Sequence, residues 1–113
     1  MEQKRQFYRV EYPKSARPTF ICDKSQFAVV ELSEEGIRLA VKGSSEFRVH
    51  QLVVGEIVFH DHSKVKVTAS VFREFLGYVV LKCHVGIPLP KIMEEQRYLI
   101  NKFGGVRRGD GDE

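Results

Sequence analysis

The segment GIRLAVK (36–42) alternates without a break, with Ile37, Leu39 and Val41 on one side and Arg38, Ala40 and Lys42 on the other. A period of two belongs to a strand with one buried face, and no helix satisfies it. The pattern recurs in short pieces through the middle of the chain. RPTFICD (17–23) and QFAVVEL (26–32) are rich in β-branched and aromatic residues, with Asp23-Lys24-Ser25 as a turn between them. GEIVFHD (55–61) closes in the polar turn Asp61-His62-Ser63-Lys64. KVKVTASVF (64–72) sends Val65, Val67, Ala69 and Val71 to one face, and GYVVLKCHV (77–85) does the same with Val79, Leu81, Cys83 and Val85. Six short strands with polar turns predict an all-β fold, a six-stranded antiparallel barrel, because closure leaves no unpaired edge.

The period changes at the end of the chain. In PLPKIMEEQRYLINKF (88–103), Leu89, Ile92, Met93, Leu99, Ile100 and Phe103 recur at helical spacing, interrupted by Gln96. Lys91, Glu94, Glu95, Arg97, Asn101 and Lys102 take the other, solvated face. Pro90 suits the first turn of this C-terminal helix and Gly104-Gly105 ends it. Its apolar stripe needs a cover, which one mouth or flank of the barrel supplies. Three parts follow: a flexible basic arm (1–12), the barrel with its closing helix (13–104) and a disordered tail (105–113).

A chain of 113 residues, 42% hydrophobic and 29% charged, fits one soluble domain with a single core. The formal net charge of +3 is too small for wholesale nucleic-acid binding but leaves room for an anionic partner. No apolar run is long enough to insert into a membrane, and residues 1–20 lack the apolar centre of a signal peptide. Cys22 and Cys83 read as a reduced, buried pair, and the protein as cytoplasmic.

Two stretches carry candidate chemistry. In the arm, Arg5 and Arg9 are four residues apart and so share a side in either an extended or a helical segment. Two guanidinium forks can then converge on one target, either phosphate oxygens or the O6/N7 edge of guanine. In ELSEEGIRL (31–39), Glu31, Ser33 and Gly36 place a carboxylate, a hydroxyl and a backbone without Cβ near one strand end. The carboxylate can accept from guanine N–H groups, the hydroxyl can meet a phosphate oxygen, and Gly36 permits positive φ or close approach. The plainer alternative for that stretch is a hairpin in which Ser33 bonds its own backbone.

Taken together, Arg5-Gln6-Phe7-Tyr8-Arg9 and Glu31-Leu32-Ser33-Glu34-Glu35-Gly36 resemble the two motifs of the PilZ family, whose members bind the bacterial second messenger cyclic di-GMP. The family pattern is Arg-x-x-x-Arg in an N-terminal arm, then Asp/Asn-x-Ser-x-x-Gly on a small barrel closed by a C-terminal helix. Val10 and the Ile37-Arg38-Leu39 strand also look like the family. One position departs from it: Glu31 stands where Asp or Asn is expected. The resemblance implies a PilZ-like barrel without enzymatic activity or cofactor, binding cyclic di-GMP through Lys4, Arg5, Arg9, Glu31, Ser33 and Gly36, with Arg38 as a weaker candidate. Lys4 is similar to the basic residue that accompanies binding of a stacked ligand dimer. The chain has no output domain of its own, so the signal would pass to an effector protein.

Two other readings compete. One is a divergent PilZ-like protein-interaction module that does not bind cyclic di-GMP, which Glu31 favours. The other is a small barrel binding single-stranded nucleic acid on Phe72, Phe75 and Tyr78, three residues read more simply as core and turn. Remaining polar features fit structural roles. His60-Asp61-His62 is turn chemistry rather than a metal trio, and His50 and His84 have no serine or cysteine arranged beside them.

Overall fold

The computed structural model describes residues 9–42 and 47–104. Among these residues there are seven strands and one α-helix: β1 (Arg9–Glu11), β2 (Thr19–Cys22), β3 (Ser25–Ser33), β4 (Gly36–Ala40), β5 (Leu52–Val58), β6 (Lys64–Phe75), β7 (Tyr78–Cys83) and α1 (Leu89–Leu99). The ring runs β3–β2–β5–β6–β7–β4 and returns to β3, with every pairing antiparallel. This is the closed six-stranded barrel that the alternation predicts. Its interior is filled by the inward residues of each strand, among them Phe20, Val29, Leu32, Ile37, Leu39, Ile57, Val67, Val71, Val79 and Leu81.

The seventh strand lies inside the stretch read as a free arm. β1 pairs with the end of β3 in the register Arg9↔Ser33, Val10↔Leu32, Glu11↔Glu31. Residues 9–12 alternate exposed and buried, and Val10 and Tyr12 belong to the core. The expectation of an arm without a partner strand therefore fails from Arg9 onward, because an apolar residue at every second position buys a place against β3. β1 and β2 lie in line along one side of β3, separated by the Pro13–Pro18 stretch with a short 3-10 turn at Lys14–Ala16. The Tyr12 N–H still donates to the Val30 carbonyl and the Val29 N–H to the Pro18 carbonyl, both at 2.9 Å.

Three other boundaries moved. β5 starts at Leu52 rather than at Gly55, which sits in mid-strand. A Cβ on Gly55 would collide with the Ile21 carbonyl oxygen and stand 2.8 Å from the Phe20 ring, so this glycine marks close approach and not a strand end. β6 continues to Phe75 through an irregularity between Val71 and Arg73. β7 stops at Cys83, which leaves Val85 exposed.

The helix packs on β1 and on the β5–β6 turn. Ile92 and Glu95 are its fully buried residues, whereas Met93 and Ile100, assigned from sequence to the apolar stripe, are exposed. Past Leu99 the winding loosens into a π-helical turn at Ile100–Gly104.

Candidate functional site

Four neighbouring strands bring the site together on the outer barrel wall. Register places Glu31 of β3 opposite Arg38 of β4, and Arg38 opposite Val80 of β7. On the other side of β3, Arg9 of β1 lies opposite Ser33, one diagonal step from Glu31. An irregularity in β3 between Val29 and Glu31 adjusts this pairing. The result is a cavity of about 140 Å³ lined by Arg9, Glu31, Ser33, Gly36, Ile37, Arg38 and Val80. Five residues singled out from sequence thus meet in one cleft. Lys4 and Arg5 lie outside the described residues.

Glu31 is clamped between two cations. Its Oε2 lies 3.0 Å from Arg9 Nη1 and its Oε1 lies 3.4 Å from Arg38 Nη1. The two arginine side chains are 62% and 42% exposed, against 10% for that of Glu31, so both arginines face outward and the carboxylate sits behind them. One carboxylate against two guanidiniums leaves a net positive cleft. Each guanidinium has further N–H donors, and the arrangement can hold a multivalent oxyanion.

Ser33 and Gly36 do what the hairpin alternative describes. The Gly36 N–H donates to Ser33 Oγ at 3.1 Å, and that hydroxyl lies 3.3 Å from the Gly36 carbonyl. Ser33 therefore shapes the turn that forms the cleft's edge. Gly36 is needed for approach and not for positive φ: a Cβ there would stand 3.0 Å from the Leu81 carbonyl oxygen. The turn is also bolted to the lead of α1. The Cys83 and Ile87 N–H groups donate to the Glu35 and Glu34 carbonyls at 2.8 and 2.9 Å.

A second polar centre, under the helix, corrects the assignment of Glu95 to the solvated face. Glu95 is 1% exposed. Tyr12 Oη donates to its Oε1 at 2.7 Å, and His60 Nε2 lies 3.3 Å from its Oε2. His60 in turn stacks on Tyr98, with centroids 3.5 Å apart and planes 7° from parallel. Burial, reinforced by the bond to Glu95 and by its charge, pushes the Tyr12 phenol far above its ordinary range. Lys91 caps the β5–β6 turn, reaching Ser63 Oγ at 2.8 Å and lying 4.4 Å from the Phe59 centroid. Gln96 Nε2 donates to the Arg9 carbonyl at 3.3 Å, which fastens the strand that carries the first guanidinium. Spacing could have revealed this centre, since Ile92, Glu95, Gln96 and Leu99 fall at i, i+3, i+4 and i+7.

The His60-Asp61-His62 trio divides between this centre and its turn. Asp61 accepts from the Ser63 hydroxyl at 2.6 Å and the Ser63 N–H at 3.0 Å, and these bonds, with Lys91 nearby, hold its carboxyl below the usual range. No group of three or more His, Cys, Asp or Glu side chains among the described residues could hold a metal ion. His84 does have a serine partner, contrary to expectation. Its Nε2 stands 2.6 Å from Ser70 Oγ, on open sheet surface outside the cleft. Phe72, Phe75 and Tyr78 are likewise not core residues, being 54%, 46% and 40% exposed. Cys22 and Cys83 are partly buried thiols on β2 and β7, and burial pushes the Cys83 thiol up to about 11.

No helix among the described residues is long and apolar enough to cross a membrane. The chain matches no protein-family model and no curated protein.

Proposed function

We propose that this chain is a PilZ-like, cytoplasmic, non-enzymatic receptor for cyclic di-GMP that passes its occupancy to an effector protein. The observation that carries the reading is the convergence of Arg9, Glu31, Ser33, Gly36 and Arg38 on one outward cleft of about 140 Å³. These residues come from two stretches whose motifs resemble those of the family. The ligand has two phosphodiester charges and two guanines, so it needs fork-shaped cations and an acceptor for guanine N–H donors. Arg9 and Arg38 supply the first and Glu31 the second.

A second reading, a PilZ-like interaction module that does not bind the nucleotide, draws on one observation. Glu31 already engages both guanidiniums, so a phosphate has to compete with it. Calorimetric titration of the full chain separates the two. The receptor reading expects saturable heat with cyclic di-GMP and none with GTP. It also expects Arg9→Ala to weaken binding by about 1.5–3 kcal/mol, the worth of charge-assisted hydrogen bonds, with little change in melting temperature. Absence of heat from the wild-type chain establishes the second reading.

A further inference from the structure

The outer face of β5, β6 and β7 carries an unusual mixture of side chains. Leu52 and Val54 are 59% and 60% exposed on β5. The irregularity in β6 between Val71 and Arg73 leaves Phe72 and Arg73 both exposed, and Phe75 lies opposite Tyr78 where the two strands meet their turn. Alternation sets Lys64, Lys66, Arg73 and Lys82 on this same face with Glu56 among them, and a second carboxylate, the exposed Glu74, stands between Arg73 and Phe75 at the end of β6. Glu56 is directly opposite Lys66, which offsets it. The cations lean over the apolar groups: Arg73 is 5.8 and 5.9 Å from the Phe72 and Phe75 centroids, and Lys82 is 5.9 Å from that of Phe72.

These contacts limit what can cover the face. A purely apolar partner would strip water from four cations and return nothing for it. A second copy of this chain would bring the same excess of cations against them. Nucleic acid would satisfy the charges but leave Leu52 and Val54 unmatched, and cations already flank the Phe72 ring. We propose that this face docks a protein segment whose apolar side chains are interleaved with Asp and Glu. The apolar groups would cover Leu52, Val54 and Phe72, while the carboxylates meet Lys66, Arg73 and Lys82. Exposed patches of this kind mark interaction sites. The surface goes beyond the cleft, and its chemistry stands whether or not the cleft holds a nucleotide. It is nonetheless adjacent, because Lys82 pairs in register with Gly36 on one side and Ser70 on the other.

The test is a titration of the isotope-labelled full chain with a synthetic peptide alternating Leu with Glu and Asp. A Leu/Lys peptide and an oligo(dT) strand serve as alternatives, and sedimentation reports self-association. The acidic peptide should saturate and shift the amides of Leu52, Val54, Phe72 and Lys82, and the Leu/Lys peptide should not bind. Combining Phe72→Ser with Lys82→Glu should weaken the acidic peptide by about tenfold or more while the cyclic di-GMP titration is unchanged. Four results overturn the proposal: no acidic-peptide binding, shifts centred elsewhere, binding of oligo(dT) alone, or self-association abolished by the double variant. Loss of cyclic di-GMP binding with the peptide site intact would instead count against the receptor reading alone.

Discussion

Glu31 and Glu95 are both nearly removed from solvent, at 8% and 1% exposure, and Glu31 holds two partners where Glu95 holds three. Their partners differ in kind. Glu31 is paired with two guanidiniums that reach out into water, so an incoming anion can take those cations over. Glu95 is paired with the buried Tyr12 phenol, with the His60 imidazole, whose side chain is 32% exposed, and at 3.9 Å with the mostly covered Lys91 ammonium, all three packed by the fold itself. A buried carboxylate thus marks a binding cleft in one case and a clasp between strand and helix in the other. What separates the two is the exposure of the partners rather than that of the acid.

The sharpest way to break this contrast is Tyr12→Phe. It removes the donor to Glu95 Oε1 and leaves a buried carboxylate with His60 and Lys91 beside its other oxygen. Denaturant unfolding should show a loss of about 3 kcal/mol, the range for breaking a buried charged hydrogen bond. A loss below about 1 kcal/mol would mean that the clasp is dispensable.

At the outer cleft the stability effect should be smaller, because exposed ion pairs contribute at most about 1 kcal/mol. Glu31→Ala leaves Arg9 and Arg38 as like charges without the acid that aligns them, and we expect cyclic di-GMP to bind about tenfold more weakly. Glu31→Asp should bind as well as the native chain or better. Tighter binding by Glu31→Ala would reverse the picture, making the carboxylate a competitor of the phosphates.

The smallest expected effect is alkaline. The Cys83 thiol sits at about 11, above its ordinary value of 9.0, because it is partly buried. Between these values the unfolded chain has lost the proton that the folded chain keeps, so stability falls as pH rises from about 9 to about 11. After allowance for partial exposure the change is on the order of 1 kcal/mol. Melting curves across that range should flatten in Cys83→Ala if the thiol is responsible. The Tyr12 phenol, also raised, adds a further loss above its ordinary value of 10.0.

The barrel was readable because alternation reports burial directly: Ile37 and Leu39, or Val67, Ala69 and Val71, went inside as their spacing demands. Gly55 misled because glycine is a turn residue until a neighbour such as Phe20 presses on it, and that neighbour is distant in sequence. Glu95 misled because its helical position and its chemistry disagree, and partners distant in sequence, Tyr12 and His60, reconcile them. In the cleft, residue types at motif spacing were enough to gather Arg9, Glu31, Ser33 and Gly36. They were not enough to see that Glu31 would hold the arginines, or that Ser33 would spend its hydroxyl on its own turn.

The ring of strands closes without β1, yet β1 supplies Arg9. During synthesis β1 is made before the rest of the ring, and although its partner β3 follows soon after, the side chains of α1 that fasten it come late. β3 must be in place first, and Tyr12 must then find Glu95, 83 residues further along. Contacts of such long range close loops that are entropically costly and form late. This early strand is therefore among the last to gain all its contacts. A chain halted before α1 has every strand of the barrel and can pair β1 with β3, but the Tyr12 phenol lacks Glu95 and the Arg9 carbonyl lacks Gln96. A fully fastened β1 is in that sense a certificate of completion: the strand that carries Arg9 to the cleft is held from both β3 and α1 only when the far end of the domain has arrived.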